Sequence, residues 1–168
     1  EYTVDNLLPT VKYYVSVTAF DFGSPTSGLP ALESERTILP AITYALEAQD
    51  SVQTKDLKVA IYPNPYRIDG GYAEGGYEGT TLEERSQIPD RNRRIHFYNL
   101  PPRCTIRIFT LDGDLVREID HNFSVSDPLS THDTWDLITR NTQLAVSGLY
   151  YWTVEAAEGD VQIGKLVL

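Results

Sequence analysis

The most restrictive feature of this chain is a dipeptide, Asp112-Gly113, set between two runs that alternate apolar and polar side chains. On one side Cys104, Ile106 and Ile108 share a face opposite Thr105, Arg107 and Phe109; on the other, Leu115 to Ile119 returns. A side-chain period of two commits a segment to a strand, because successive Cβ atoms point to opposite faces. Asp-Gly between two such runs predicts an antiparallel hairpin with a type I′ turn, which needs positive φ at both central residues. No segment of the chain sustains the 3.6-residue apolar period of a helix.

The same signals recur from Leu57 to the end. Leu57, Val59 and Ile61 alternate before Tyr62-Pro63-Asn64-Pro65, where two prolines end the ladder. Ile95 and Phe97 mark the next strand, broken by Leu100-Pro101-Pro102. A short strand spans Asp133 to Leu137, centred on Trp135. Tyr150, Trp152 and Val154 alternate, Glu158-Gly159-Asp160 turns the chain, and Val161 to Leu168 runs as a last strand. Roughly seven short strands within about 110 residues predict an all-β, antiparallel sandwich. The connection 67–91 is long for a compact domain and reads as either functional or mobile. Within it, Gly70 to Gly79 mixes tyrosine and glycine, which suits an adaptable contact surface as well as it suits disorder.

The front of the chain is shorter of signals. From Tyr13 onward, Tyr13, Val15, Val17 and Ala19 lie opposite Tyr14, Ser16, Thr18 and Phe20, a half-buried strand that begins after Pro9. A turn-rich loop over 23–30 follows, and Ser34 to Leu39 reads as a second strand. Two strands bury no core of their own, so segment 1–39 is expected to be the end of a larger β domain. Residues 40–56 read as a linker, with Ala41 to Ala48 apolar enough for a strand or a helical turn, and 57–168 as the second domain.

Charge and reactive side chains narrow the function classes. Acidic residues outnumber basic ones 24 to 14, a net charge of −10, which disfavours nucleic acid and anionic lipid as partners. No apolar run approaches the ~18–20 residues of a membrane span, so membrane insertion is not expected. The single cysteine, Cys104, shares parity with Ile106 and Ile108 and reads as a buried, inert thiol. His96, His121 and His132 are widely spaced, and no nucleophile motif, P-loop, dinucleotide fingerprint or EF-hand loop is present. No catalytic, cofactor-binding or metal-ligating set is therefore predicted, and no enzyme. Asp112 and Asp114 flank a turn glycine and serve the turn more readily than a calcium ion, which takes ~6–8 oxygens. Trp135 and Trp152 fall within apolar strand patterns and read as core; only as an exposed aromatic row would they point to carbohydrate. Lys165 reads as a charge that blunts an exposed edge strand.

Two resemblances rest on these residues. Leu7-x-Pro9-x-x-x-Tyr13, followed by Val15 and Val17, resembles the penultimate strand of a fibronectin type III domain, whose tyrosine hydroxyl ties down a sandwich corner. The longer one covers roughly Lys58 to Leu168. There the ordered set Pro63-Asn64-Pro65, Ile95-x-Phe97-x-Asn99-Leu100-Pro101, Gly113-Asp114-Leu115-Val116, Trp135-Asp136-Leu137, Gly148-Leu149-Tyr150 and Gly164-Lys165 resembles the C-terminal sorting domain of type IX (Por) secretion cargo. That family has an immunoglobulin-like fold similar to the flagellar hook-capping module.

The second resemblance implies the non-catalytic end of a large secreted or cell-surface bacterial protein. Its implied partners are an outer-membrane translocon, which reads the folded sandwich, and a sortase-like peptidase. The implied cut lies in the linker around Ala48 to Lys55, where extended backbone is expected because a peptidase cannot cleave inside a packed sheet. A structural or adhesive module of an extracellular stalk or filament, pairing with other chains of a surface assembly, is the alternative reading.

Overall fold

Alternation becomes two separate β units in the computed structural model, which describes residues 12–24, 26–36, 41–44, 46–79 and 92–168. One unit comprises Glu1–Ala45 and the other Leu46–Leu168.

In the first unit, β1 (Lys12–Val15) pairs antiparallel with β2 (Ala41–Tyr44), placing Tyr13 opposite Thr43 and Val15 opposite Ala41. The strand expected to run on to Phe20 stops at Val15. The expected partner over 34–39 is also revised: 34–36 form no strand, 37–39 lie outside the described residues, and the pairing is made by β2. Local polar contacts take over where the ladder ends. Asp21 Oδ1 accepts from the N–H groups of Gly23 and Leu32, both at 2.9 Å, and Ser34 N–H donates to Ala19 O at 2.7 Å. An Asx-type bond of this kind competes with sheet pairing.

The second unit opens with α1 (Gln49–Thr54), so the expected linker 40–56 in fact carries β2 and a helix. Sequence reading missed α1 because its stop signal is unusual. Asp56 takes φ 47°, Leu57 N–H donates to Val52 O and Asp56 N–H to Gln53 O. These are the two bonds of a Schellman cap, with aspartate where glycine is usual.

Seven strands follow: β3 (Ala60–Tyr62), β4 (Ile95–Tyr98), β5 (Arg103–Thr110), β6 (Leu115–Asn122), β7 (His132–Trp135), β8 (Leu149–Ala156) and β9 (Val161–Val167). They form two antiparallel sheets, β3-β4-β7 and β6-β5-β8-β9. The inner faces meet as a core of Ile95, Phe97, Leu100, Ile106, Ile108, Trp135, Val154 and Leu166, each almost fully removed from water. Side chains of this size contribute about 1.5–3 kcal/mol each on burial. The chain is therefore an all-β sandwich in this region.

The Asp-Gly hairpin forms, with a different turn. Gly113 has φ 92° but Asp112 is not in the left-handed region. Gly113 N–H donates to Thr110 O at 3.1 Å and Thr110 N–H to Asp114 O at 2.9 Å. This is a three-residue loop, a type I turn completed by one left-handed glycine. Asp114 N–H bonds Thr110 Oγ1 at 3.1 Å, an anchor that favours the wider loop over a two-residue one.

The tyrosine-glycine stretch packs through its aromatic rings, Tyr77 beside His96 of β4 and Tyr72 against the hydrophobic core. Tyr77 packs on Tyr62 with ring centroids 4.6 Å apart, and Tyr72 on Tyr66 at 5.2 Å. Glu78 is buried and accepts from Tyr66 Oη at 2.7 Å and from Arg94 N–H at 3.2 Å. Burial, reinforced by the Glu78 carboxylate, pushes the Tyr66 phenol well above its ordinary range.

Candidate recognition site at the last strand

β9 is the outer strand of its sheet, and its ladder to β8 sets Tyr150 opposite Leu166, Tyr151 opposite Lys165 and Trp152 opposite Gly164. Most residues singled out from the sequence converge on it. Pro63 and Pro65, both preceded by cis peptide bonds, turn the chain out of β3 and bring Asn64 to the free side of β9. There Asn64 Nδ2 donates to Lys165 O at 2.9 Å, and its Oδ1 accepts from Val167 N–H at 3.2 Å. Tyr66 N–H adds a bond to Val167 O at 2.8 Å. One side-chain amide thus supplies the donor and acceptor that a neighbouring strand would supply.

From the other side, Gly148 and Leu168 exchange backbone bonds of 3.0 and 3.1 Å. A Cβ on Gly148 would meet only the Tyr150 ring at 3.9 Å, so sterics do not demand glycine there. Gly164 differs. A Cβ there would fall on the indole of Trp152, which lies against the bare backbone of β9. Trp152 in turn meets Phe97 edge-on at 6.1 Å, and Trp135 meets Tyr150 at 6.2 Å. Both tryptophans are core residues, Trp135 at 0% exposure and Trp152 at 6%, so neither forms an aromatic platform.

Tyr150 carries a role that sequence reading did not assign. Its Oη donates to Val146 O at 2.7 Å, from the start of β8 back across the turn that leads into it. This is the geometry of a tyrosine corner. The corner expected from Leu7, Pro9 and Tyr13 is not described in the same way: Leu7 and Pro9 lie outside the described residues, and Tyr13 sits half-buried in β1. The signal that would have located the second corner is the spacing alone, a tyrosine two residues before the core tryptophan of its strand. Gly113 stays in the β5–β6 loop and makes no contact with this cluster among the described residues.

Lys165 projects from the exposed face of β9, flanked by Ile163 at 70% and Val167 at 42% exposure. A cleft of about 280 Å³ borders the same corner, lined by Tyr66, Arg67, Arg93, Leu137, Ser147 and Leu168. What this arrangement can do is present a fixed strand and two anchored turns.

The histidines, far apart in sequence, gather at one end of the sandwich. His96 Nε2 lies 2.7 Å from Tyr77 O and its Nδ1 lies 3.0 Å from His132 Nε2. A carbonyl only accepts, so His96 carries its hydrogen on Nε2 and accepts at Nδ1 from His132. Burial lowers the pKa of both rings, His132 to about 4 with His96 as the second cause. His121, fully buried, faces Asp133 Oδ2 at 2.9 Å and Ser130 O at 2.8 Å. No group of three or more potential metal ligands occurs among the described residues. Cys104 is buried, and burial, with Asp133 nearby, pushes its thiol up to about 12.

No helix among the described residues is long and apolar enough to cross a membrane. No family model and no curated protein matches the chain. Among solved structures it is similar to PorZ of Porphyromonas gingivalis, an essential bacterial surface component of the type IX secretion system. That likeness has 16% identity and a TM-score of 0.44, over 76% of this chain and 14% of PorZ. It is also similar to dimeric latent PorU of the same organism, with 15% identity and a TM-score of 0.40, over 96% of this chain and 12% of PorU. The chain thus spans a small fraction of either protein's length.

Proposed function

We propose that residues 57–168 act as a non-catalytic, immunoglobulin-like sorting sandwich of a larger secreted or cell-surface bacterial protein. A type IX outer-membrane translocon recognises it through β9 and the corners that hold it, and a sortase-like peptidase acts on the junction in front of it. The observation that carries this reading is the convergence on one strand. Pro63, Asn64, Pro65, Gly148, Tyr150, Gly164 and Lys165, scattered over about a hundred positions, all bear on β9 through the bonds and contacts above. A core requires some of these contacts. It does not require an amide on the outer edge of the last strand.

The test fuses the whole chain to the C-terminus of a secreted reporter in a type IX-proficient host. Surface reporter is expected with the native chain and is expected to fall at least fivefold with Asn64→Ala, which removes both amide bonds to β9. Reporter retained in the periplasm with the native chain would reject the sorting role.

A structural or adhesive role is favoured by a different observation, in the first unit. Val17, Phe20, Phe22, Leu29 and Leu32 are 65–92% exposed, an apolar surface suited to association with other chains of an assembly. Concentration-dependent sedimentation of the purified chain distinguishes this reading, since a sorting sandwich alone predicts no polymer.

A further inference from the structure

The segment that was expected to offer extended backbone is instead folded onto the sandwich. Its helix is only six residues long and has no side-chain cap at Ala48 and no basic residue in its last turn. A helix that short does not hold itself in water. Docking holds it. Val52 and Gln49 are buried, at 7% and 4% exposure, and Glu47 O accepts from Thr131 Oγ1 at 2.8 Å. Thr131 is itself buried, and its carbonyl accepts from Leu100 N–H, so the anchor is part of the sandwich frame. Lys55 reaches back to Glu47 at 3.2 Å, an exposed pair that adds little. Against docking stands the buried Oε1 of Gln49, which has no hydrogen-bond partner among the described residues. A buried acceptor left unmade is a penalty of the same order as the anchor bond.

We propose that 46–57 is a gate: docked, it denies an endopeptidase the backbone in front of β3, and local undocking sets the rate of cutting there. A peptidase needs extended backbone, and neither α1 nor its Schellman cap supplies it. A segment held by one buried valine, one side-chain bond and an incompletely satisfied glutamine belongs to the least stable part of a fold, able to open alone. The gate rests on its own contacts, and the sorting reading only gives it a purpose.

Two substitutions move the gate in opposite directions. Ala48 is exposed with φ −66° and ψ 151°, the backbone of an N-cap, so Ala48→Ser supplies the missing cap. Thr131→Val keeps the shape of the anchor and removes its bond to Glu47. The full chain is digested under native conditions with thermolysin, whose apolar targets include Leu46, Val52 and Leu57. When opening and closing are fast relative to cleavage, the rate follows the open population. Cutting within 46–57 is expected to slow about fivefold in Ala48→Ser and to quicken about fivefold in Thr131→Val. Urea midpoints of the sandwich, read by tryptophan fluorescence, are expected to stay within a few tenths molar. Three results would each overturn the gate: native cutting at Val52 as fast as in an unstructured peptide, rates unmoved by either substitution, or rates that track the urea midpoint. The digest reads the gate without a translocon, so it stands or falls apart from the export assay.

Discussion

The two units spend the same sequence pattern differently. Beyond β1 the large apolar residues stay in water, with Val17 at 81% and Phe22 at 92% exposure. In the second unit Ile95, Phe97, Ile106 and Ile108 follow the same period and reach 0%. Among the described residues, what separates them is a second layer. In the sandwich, β4 and β7 stand across from β5 and β8, whereas β1 has β2 beside it in the same sheet. Alternation fixes which side chains share a face; only a facing sheet turns that face into a core.

The contrast breaks most readily with a pair of truncations. Trp135→Ala removes a fully buried indole and its Nε1–H bond to Ile138 O, and is expected to cost the second unit about 4 kcal/mol in urea unfolding. Phe22→Ala, at a ring of similar chemistry left in water, is expected to change stability by less than about 0.5 kcal/mol by circular dichroism. A comparable loss at Phe22 would show that the first unit has a core of its own.

Acid sharpens the contrast next, because His96, His121 and His132 all belong to the second unit. His132 is held neutral in the fold, its pKa lowered from 6.5 to about 4. Below pH 6.5 the unfolded chain binds a proton that the native ring refuses, so stability falls as pH falls, until the native ring also titrates near 4. His96 is lowered too and acts in the same direction. A loss of about 2 kcal/mol by pH 5 is expected from His132. Fluorescence of Trp135 and Trp152, which reports this unit alone, follows it. His132→Gln retains an N–H donor without titrating and should flatten the slope; an unchanged slope would assign the acid sensitivity elsewhere.

The smallest effect tests a single contact. Gly164→Ala sets a methyl against the Trp152 indole and is expected to cost about 1–2 kcal/mol, with a shift in tryptophan emission. Full stability in this variant would show that the indole has room to move.

Much of the sandwich was legible because its signals are local. The paired runs around Asp112-Gly113 and the apolar parity of Tyr150, Trp152 and Val154 locate β5, β6 and β8 without tertiary information. What stayed hidden depends on contacts between distant residues. β2 was left open between strand and helical turn within an apparent linker, because its partner lies about thirty positions upstream. α1 was concealed because docking, rather than propensity, makes it helical. Asn64 read as a turn residue between prolines, and its bonds to Lys165 and Val167 span 101 and 103 positions. The histidines looked unrelated because β4, β6 and β7 bring them together only when the sheets close.

The amide of Asn64 has one more consequence. It seals the margin of the sheet where β9 would otherwise be open to growth by another chain. A receptor approaching that stretch finds Lys165 O, Val167 N–H and Val167 O already bonded, so a continuous added strand is blocked there and the broad side, with the side chains that stand out of it, is the surface left to read.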